Sequence, residues 1–142
     1  MLNEQITRFL NDLAKQTNAG KIRWENMREY SPYEIGFPDI SEKMQEIFQN
    51  EYRHVLPMNS FYARHKDGIV ALVRIDNESG KDGSHSSSFA LVMQLDRTSP
   101  VFTYEDSYFQ DDACILYKAI IRYINKDLSL PDALYDFMSF DN

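Results

Sequence analysis

Leu2, Ile6, Phe9, Leu10 and Leu13 recur at intervals of three and four, while Asn3, Glu4, Thr7, Arg8, Asn11 and Asp12 fall between them. That spacing puts the apolar set on one face of a helix. Gly20 suits the left-handed position that closes such a helix, and Lys15 sits where a cation meets the carbonyl end of the dipole. The next residues, KIRWE, alternate, so Ile22 and Trp24 share one side of an extended segment. Residues 26 to 38 hold Pro32, Gly36 and Pro38 among the spaced rings Tyr30, Tyr33 and Phe37, which predicts an ordered loop tacked onto the core by its aromatics. A short helix with Ile40, Met44, Ile47 and Phe48 inward follows, with Asp39 or Ser41 as its cap. Pro57 ends the extended piece YRHVL.

From Asn59 the apolar period falls from 3.6 to 2. SFYARH and IVALVRID flank Lys66-Asp67-Gly68, and Asp-Gly between two such runs signals a hairpin whose turn needs positive φ. The polar stretch NESGKDGSHSS, residues 77 to 87, reads as a mobile surface loop. SFALVMQL then places Phe89, Leu91, Met93 and Leu95 on one face, and a turn at DRTSP leads to VFTYE. Asp111 or Asp112 is expected to cap a long helix carrying Ala113, Leu116, Tyr117, Ile120 and Ile124. A short helix starting at Ser129 to Pro131, with Leu134, Phe137 and Met138 inward and Asp132 and Asp136 outward, completes the pattern. The expected fold is α+β: a four-stranded antiparallel β-meander with one face packed against the N-terminal and C-terminal helices. Neither a repeat nor a linker divides residues 1–142, so a single globular domain is expected.

Composition adds a location and a sign. No apolar stretch nears the roughly 20 residues of a bilayer span, and Met1-Leu2-Asn3-Glu4 lacks the basic start of a signal peptide. With one cysteine, Cys114, no internal disulfide can form. Both features predict a cytoplasmic protein. Net charge is −7, split as −1 over residues 1 to 71 and −6 over residues 72 to 142. That sign opposes a generic nucleic-acid binder and favours a partner protein with a basic surface, although acidity also serves solubility.

Candidate chemistry is sparse. His54, His65 and His85 fall in three segments with no second ligand type at metal-site spacing. Cys114, beside Asp111 and Asp112, reads as a small core filler, because the acids favour the thiol and no base is positioned near it. The segment YEDSYFQDD, residues 104 to 112, holds Glu105, Asp106, Asp111 and Asp112, which could bind a divalent cation through oxygens. Helix capping accounts for the same acids without a metal, and no cofactor motif is present. Interleaved acids and rings also suit an arginine-rich partner, which singles out Tyr104, Glu105, Asp106, Tyr108, Phe109 and Asp111 as the candidate contact. Trp24, the sole tryptophan, lies beside Lys21 and Arg23, but alternation past a helix stop marks it as a packing anchor.

FLNDLAKQTNAGKIRWE, residues 9 to 25, resembles the start of a loose group of small uncharacterised bacterial and phage proteins, in which a Leu-rich helix precedes Thr, a Gly-Lys or Gly-Glu pair and Trp. The resemblance implies a setting such as mobile-element cargo and assigns no site residue. The expected function is a small acidic, non-catalytic interaction domain: an inhibitor, immunity protein or anti-defence factor. The alternatives are a secretion-chaperone-like homodimer and a metal-dependent enzyme built on the 105–112 carboxylates.

Overall fold

The stretch Ile69 to Val73 is apolar at every position, which a strand with one wet face cannot tolerate. A computed structural model, describing residues 2–125 together with 137, 138 and 140, shows why. These residues belong to a central strand that is covered on both faces. In chain order the elements are α1 (Leu2–Asn18), β1 (Glu25–Asn26), α2 (Pro32–Ile35), α3 (Pro38–Phe48), β2 (Arg53–Val55), β3 (Phe61–His65), β4 (Gly68–Glu78), β5 (His85–Gln94), β6 (Val101–Tyr104) and α4 (Gln110–Asn125). Single 3-10 turns occupy Met27–Glu29, Pro57–Asn59 and Ser107–Phe109.

The strands form one antiparallel sheet of six in the order β1-β3-β4-β5-β6, with β2 paired to the far half of β4. Val70, Leu72, Phe89 and Leu91 face a core shared with α1 and α4, while Ile69, Ala71, Val73, Ile75, Ala90 and Val92 face a second core with Phe37, Ile40, Met44 and Phe48. The expected α+β architecture is present, with two corrections. The sheet has six strands, because β1 and β2 span two and three residues and are too short to show a period. Its second face, beyond the one expected to pack on the terminal helices, is covered as well, by the chain between residues 27 and 48.

Further corrections are local. The polar run 77 to 87 is strand at both ends, since Asn77 pairs Ser86 and Glu78 pairs His85, and only residues 79 to 84 form the expected surface turn. Beyond the helical layers both faces meet water, so polar side chains suit this ladder; Asn77 donates to Ser88 Oγ and Arg74 to Ser87 Oγ. Residues 26 to 38 contain a 3-10 turn and the one-turn α2, and Tyr33 is exposed although Phe37 is buried. Leu95, expected with the inward face of β5, lies past its end and is exposed. Neither Asp39 nor Ser41 caps α3; Phe37 occupies that position, without a side-chain bond, and Pro38 opens the helix. Asp106 rather than Asp111 or Asp112 caps the turn leading into α4, accepting from the Tyr108 N–H. The expected helix around Leu134 lies outside the described residues; Phe137 and Met138 are exposed. No helix of the described residues is long and apolar enough to cross a membrane.

In the β3–β4 hairpin the positive φ belongs to Lys66, at 53°, and not to Gly68. Gly68 is needed for a different reason. A Cβ there would lie 2.0 Å from the Gln94 carbonyl oxygen and 2.5 Å from that of Leu95. Gly20, at φ 73°, does close α1: its N–H donates to the Thr17 carbonyl and that of Lys21 to the Gln16 carbonyl.

That closure turns the chain back so that Trp24 is buried against α1. Its indole N–H donates to Thr17 Oγ1 at 2.8 Å, and the Thr17 hydroxyl donates to the Leu13 carbonyl at 2.6 Å. Trp24 is the packing anchor its alternation predicts, contributing about 2 to 3 kcal/mol through area alone. Thr17→Val should leave the indole N–H buried without an acceptor and cost about 1 to 3 kcal/mol in urea denaturation followed by tryptophan fluorescence, while Thr17→Ser should recover most of it. Gly68→Ala should lower stability by about 3 kcal/mol or more, because two backbone carbonyls must move; calorimetry showing an unchanged Tm would refute the close approach.

Candidate functional site

The β6–α4 junction was the candidate contact in the sequence, and the structure divides its residues by role. Phe109 is 1% exposed and packs in the α1–α4 core, so its expected surface role is corrected. The reason is positional: the 3-10 turn ends there and points the ring inward against Tyr104, edge to face at 5.3 Å. Tyr104 is half-buried, and its hydroxyl donates to Asn3 Oδ1 on α1. Burial and the nearby Asp106 both raise its pKa.

The carboxylates divide in the same way. Glu105 takes a two-pronged ion pair from Arg53 of β2, with one N···O distance of 3.1 Å, and the Arg53 guanidinium lies over the Phe48 ring. Asp106 is engaged in capping. Asp111 and Asp112, in the first turn of α4, make no ion pair among the described residues. What remains at the surface is Tyr108, 78% exposed, with Asp111 exposed on the next turn. Tyr108 also walls an open trough of about 530 Å³ along the outer face of α1, lined by Asn3, Glu4, Thr7, Arg8, Asn11, Asp12 and Lys15.

Gln110 explains how this junction is held. Its side-chain amide accepts from the Phe89 N–H at 2.7 Å and donates to the Phe89 carbonyl at 2.9 Å. Pairing of β6 with β5 ends at Leu91, so the Gln110 amide takes the place of a missing strand residue. The first residue of α4 is thereby tied to the sheet.

The histidines stay apart in space: His54 is exposed on β2, His65 packs its ring 5.5 Å from that of Phe9, and His85 Nδ1 lies 3.0 Å from Asp76 Oδ2. Burial, with Lys66 beside it, holds the His65 imidazole below the ordinary histidine value. Cys114 is half-buried against the α1–α4 core. No group of three or more His, Cys, Asp or Glu among the described residues is arranged to hold a metal ion.

Two surfaces escape the sequence. One is a recess of about 380 Å³ where Lys21, Arg23, Arg64, His65 and Lys66 meet around Glu25, Tyr62 and Ile35. Lys21 and Arg23 are visible as a basic alternation, but only the pairing of Glu25 with Tyr62 brings them to Arg64. The other is apolar. A groove of about 390 Å³ between α1 and the edge strand β6 is lined by Leu2, Gln5, Ile6, Phe9, Met93 and Phe102. It continues past Phe102 toward Leu95 and Pro100. The signal for it was present: Leu2 and Phe9 belong to a stripe wider than the buried Ile6, Leu10 and Leu13 require.

No protein-family model matches this chain, and no match to it was found among curated proteins or solved structures.

Proposed function

We propose that this chain is a non-catalytic binding domain that docks on a basic surface of another protein, as an inhibitor, immunity protein or anti-defence factor would. The observation that carries the reading is Tyr108, 78% exposed at the head of α4. Asp111 and Asp112, without ion pairs among the described residues, stand beside it. An exposed tyrosine offers a large contact with only two side-chain torsions to fix, which suits the centre of an interface. Free carboxylates around it steer an arginine-rich or lysine-rich face into place and add cation–aromatic contact once docked. Tyr104 supports that surface by its bond to α1, Glu105 by its ion pair to β2, Asp106 by accepting from the Tyr108 N–H and Phe109 by packing in the core.

The apolar groove beside β6 favours a second reading, a homodimer of the secretion-chaperone-like kind. Among the described residues β6 ends the sheet, which leaves its outer edge to pair antiparallel with the same strand of a second copy. Leu2 and Phe102, 50% and 40% exposed, would be covered by that pairing.

Two measurements separate these readings. Immobilised protein should capture a partner from host-cell lysate, with capture falling about tenfold for Tyr108→Ala combined with Asp111→Lys. The Tm should be unchanged, because both side chains are exposed. Capture that does not weaken between about 50 and 500 mM salt would remove the electrostatic argument. For self-association, light scattering should give a dimer that Phe102→Asp converts to a monomer. A wild-type monomer at high concentration would eliminate the dimer.

A further inference from the structure

We infer that the recess lined by Lys21, Arg23, Arg64 and Lys66 is an anion site that binds a small phosphorylated molecule. The recess exists because β1 is short. β1 pairs with β3 only at Glu25–Tyr62 and Asn26–Phe61, so the second half of β3, Ala63 to His65, has β4 on one side and no strand on its β1 side. The chain from Lys21 to Trp24 runs apart from β3 there, and Ile35 of α2 closes the remaining side.

The charge gathered in that space is unlike the rest of the molecule. The chain carries a net −7, yet four of its fifteen Lys and Arg line this one concavity against a single carboxylate, Glu25. Glu25 is already engaged, accepting from the Tyr62 hydroxyl at 2.7 Å and lying 3.4 Å from the Arg23 guanidinium. Like charges drawn together repel, and a bound anion relieves that repulsion.

Arg64 is also placed in advance, and Lys21 and Lys66 are anchored at their backbones. Arg64 donates one N–H to the Ile35 carbonyl at 2.8 Å, which fixes its guanidinium plane and leaves other donors for a ligand. Lys21 follows the Gly20 helix closure, with its backbone N–H bonded to the Gln16 carbonyl. Lys66 occupies the left-handed position of the hairpin turn. Cations converging from different elements match a dianionic phosphate, whose peripheral oxygens accept from more than one side. The apolar part of such a ligand has Ile22, Ile35 and Ala63 to lie against. A volume of about 380 Å³ is at the small end of ligand pockets. A nucleic acid fits less well, since four cations confined to one recess of a chain with net charge −7 do not make the extended basic track a long polyanion needs. The recess shares no lining residue with the Tyr108 trough, so it stands independently of the protein-docking reading.

Isothermal titration calorimetry in about 50 mM salt tests the site, with pyrophosphate and AMP as probes. Both should bind the wild type. Affinity should drop about tenfold or more in Arg64→Ala/Lys66→Ala and in Lys21→Ala/Arg23→Ala, and should be retained in Arg8→Ala/Lys15→Ala, whose cations line the α1 trough. Lys21 and Arg23 are exposed at the recess, so that pair stays informative if loss of the Arg64 bond to Ile35 perturbs folding. No heat with either probe overturns the inference, as does binding retained by both recess variants. Citrate binding as tightly as pyrophosphate would overturn the phosphate assignment, and a single-stranded oligonucleotide binding far more tightly than AMP would overturn the small ligand.

Discussion

Burial of β4 and β5 from both sides is the constraint on which the rest of the structure depends. Ile69 through Val73, together with Ala90 through Val92, leave almost no side chain for water, so each face must be covered. One layer comes from α1 and α4, and the other from α3 and the chain leading into it. This explains the length spent between residues 27 and 59, which builds few strands but roofs the second face. At Gly68, where β4 begins beside the end of β5, two backbone carbonyls occupy the space a side chain would need.

Where that two-sided cover stops, polar chemistry begins. At the far end of the β4–β5 hairpin, Asn77, Ser86, Ser87 and His85 continue the ladder in water. At the β6–α4 junction the sheet runs out of partners, and Gln110 and Asp106 supply side-chain bonds where backbone ones are missing. At the β1–β3 edge, pairing fails after two residues and a concavity opens. The candidate functional surfaces therefore lie at the margins of the packed layers, where backbone and side chains are free to meet a ligand.

The acidic segment 104 to 112 shows how much of a site a linear reading recovers. Its composition is distinctive in one dimension, yet one ring turns inward, one carboxylate answers Arg53 from fifty-two residues away, and one caps a turn. Tyr108 and Asp111 keep a free surface. The basic recess is the converse case: Lys21 and Arg23 sit in one segment and Arg64 and Lys66 in another, and neither segment alone looks like a site.

Local pattern alone determined the two long helices, the closure at Gly20, the β3–β4 hairpin, the anchor role of Trp24 and the α+β class, because a period of 3.6 or 2 and a turn residue act over a few neighbours. It also carried the acidic bias. Tertiary structure decided the rest. β1 and β2 are strands only because longer strands lie beside them, polar residues 77, 78 and 85 to 87 are strand because a ladder holds them, and the second face of the sheet is covered by a segment that reads as a loop followed by a short helix. Hydrogen-bond pairing and burial are properties of what lies opposite, and a single segment does not contain its partner.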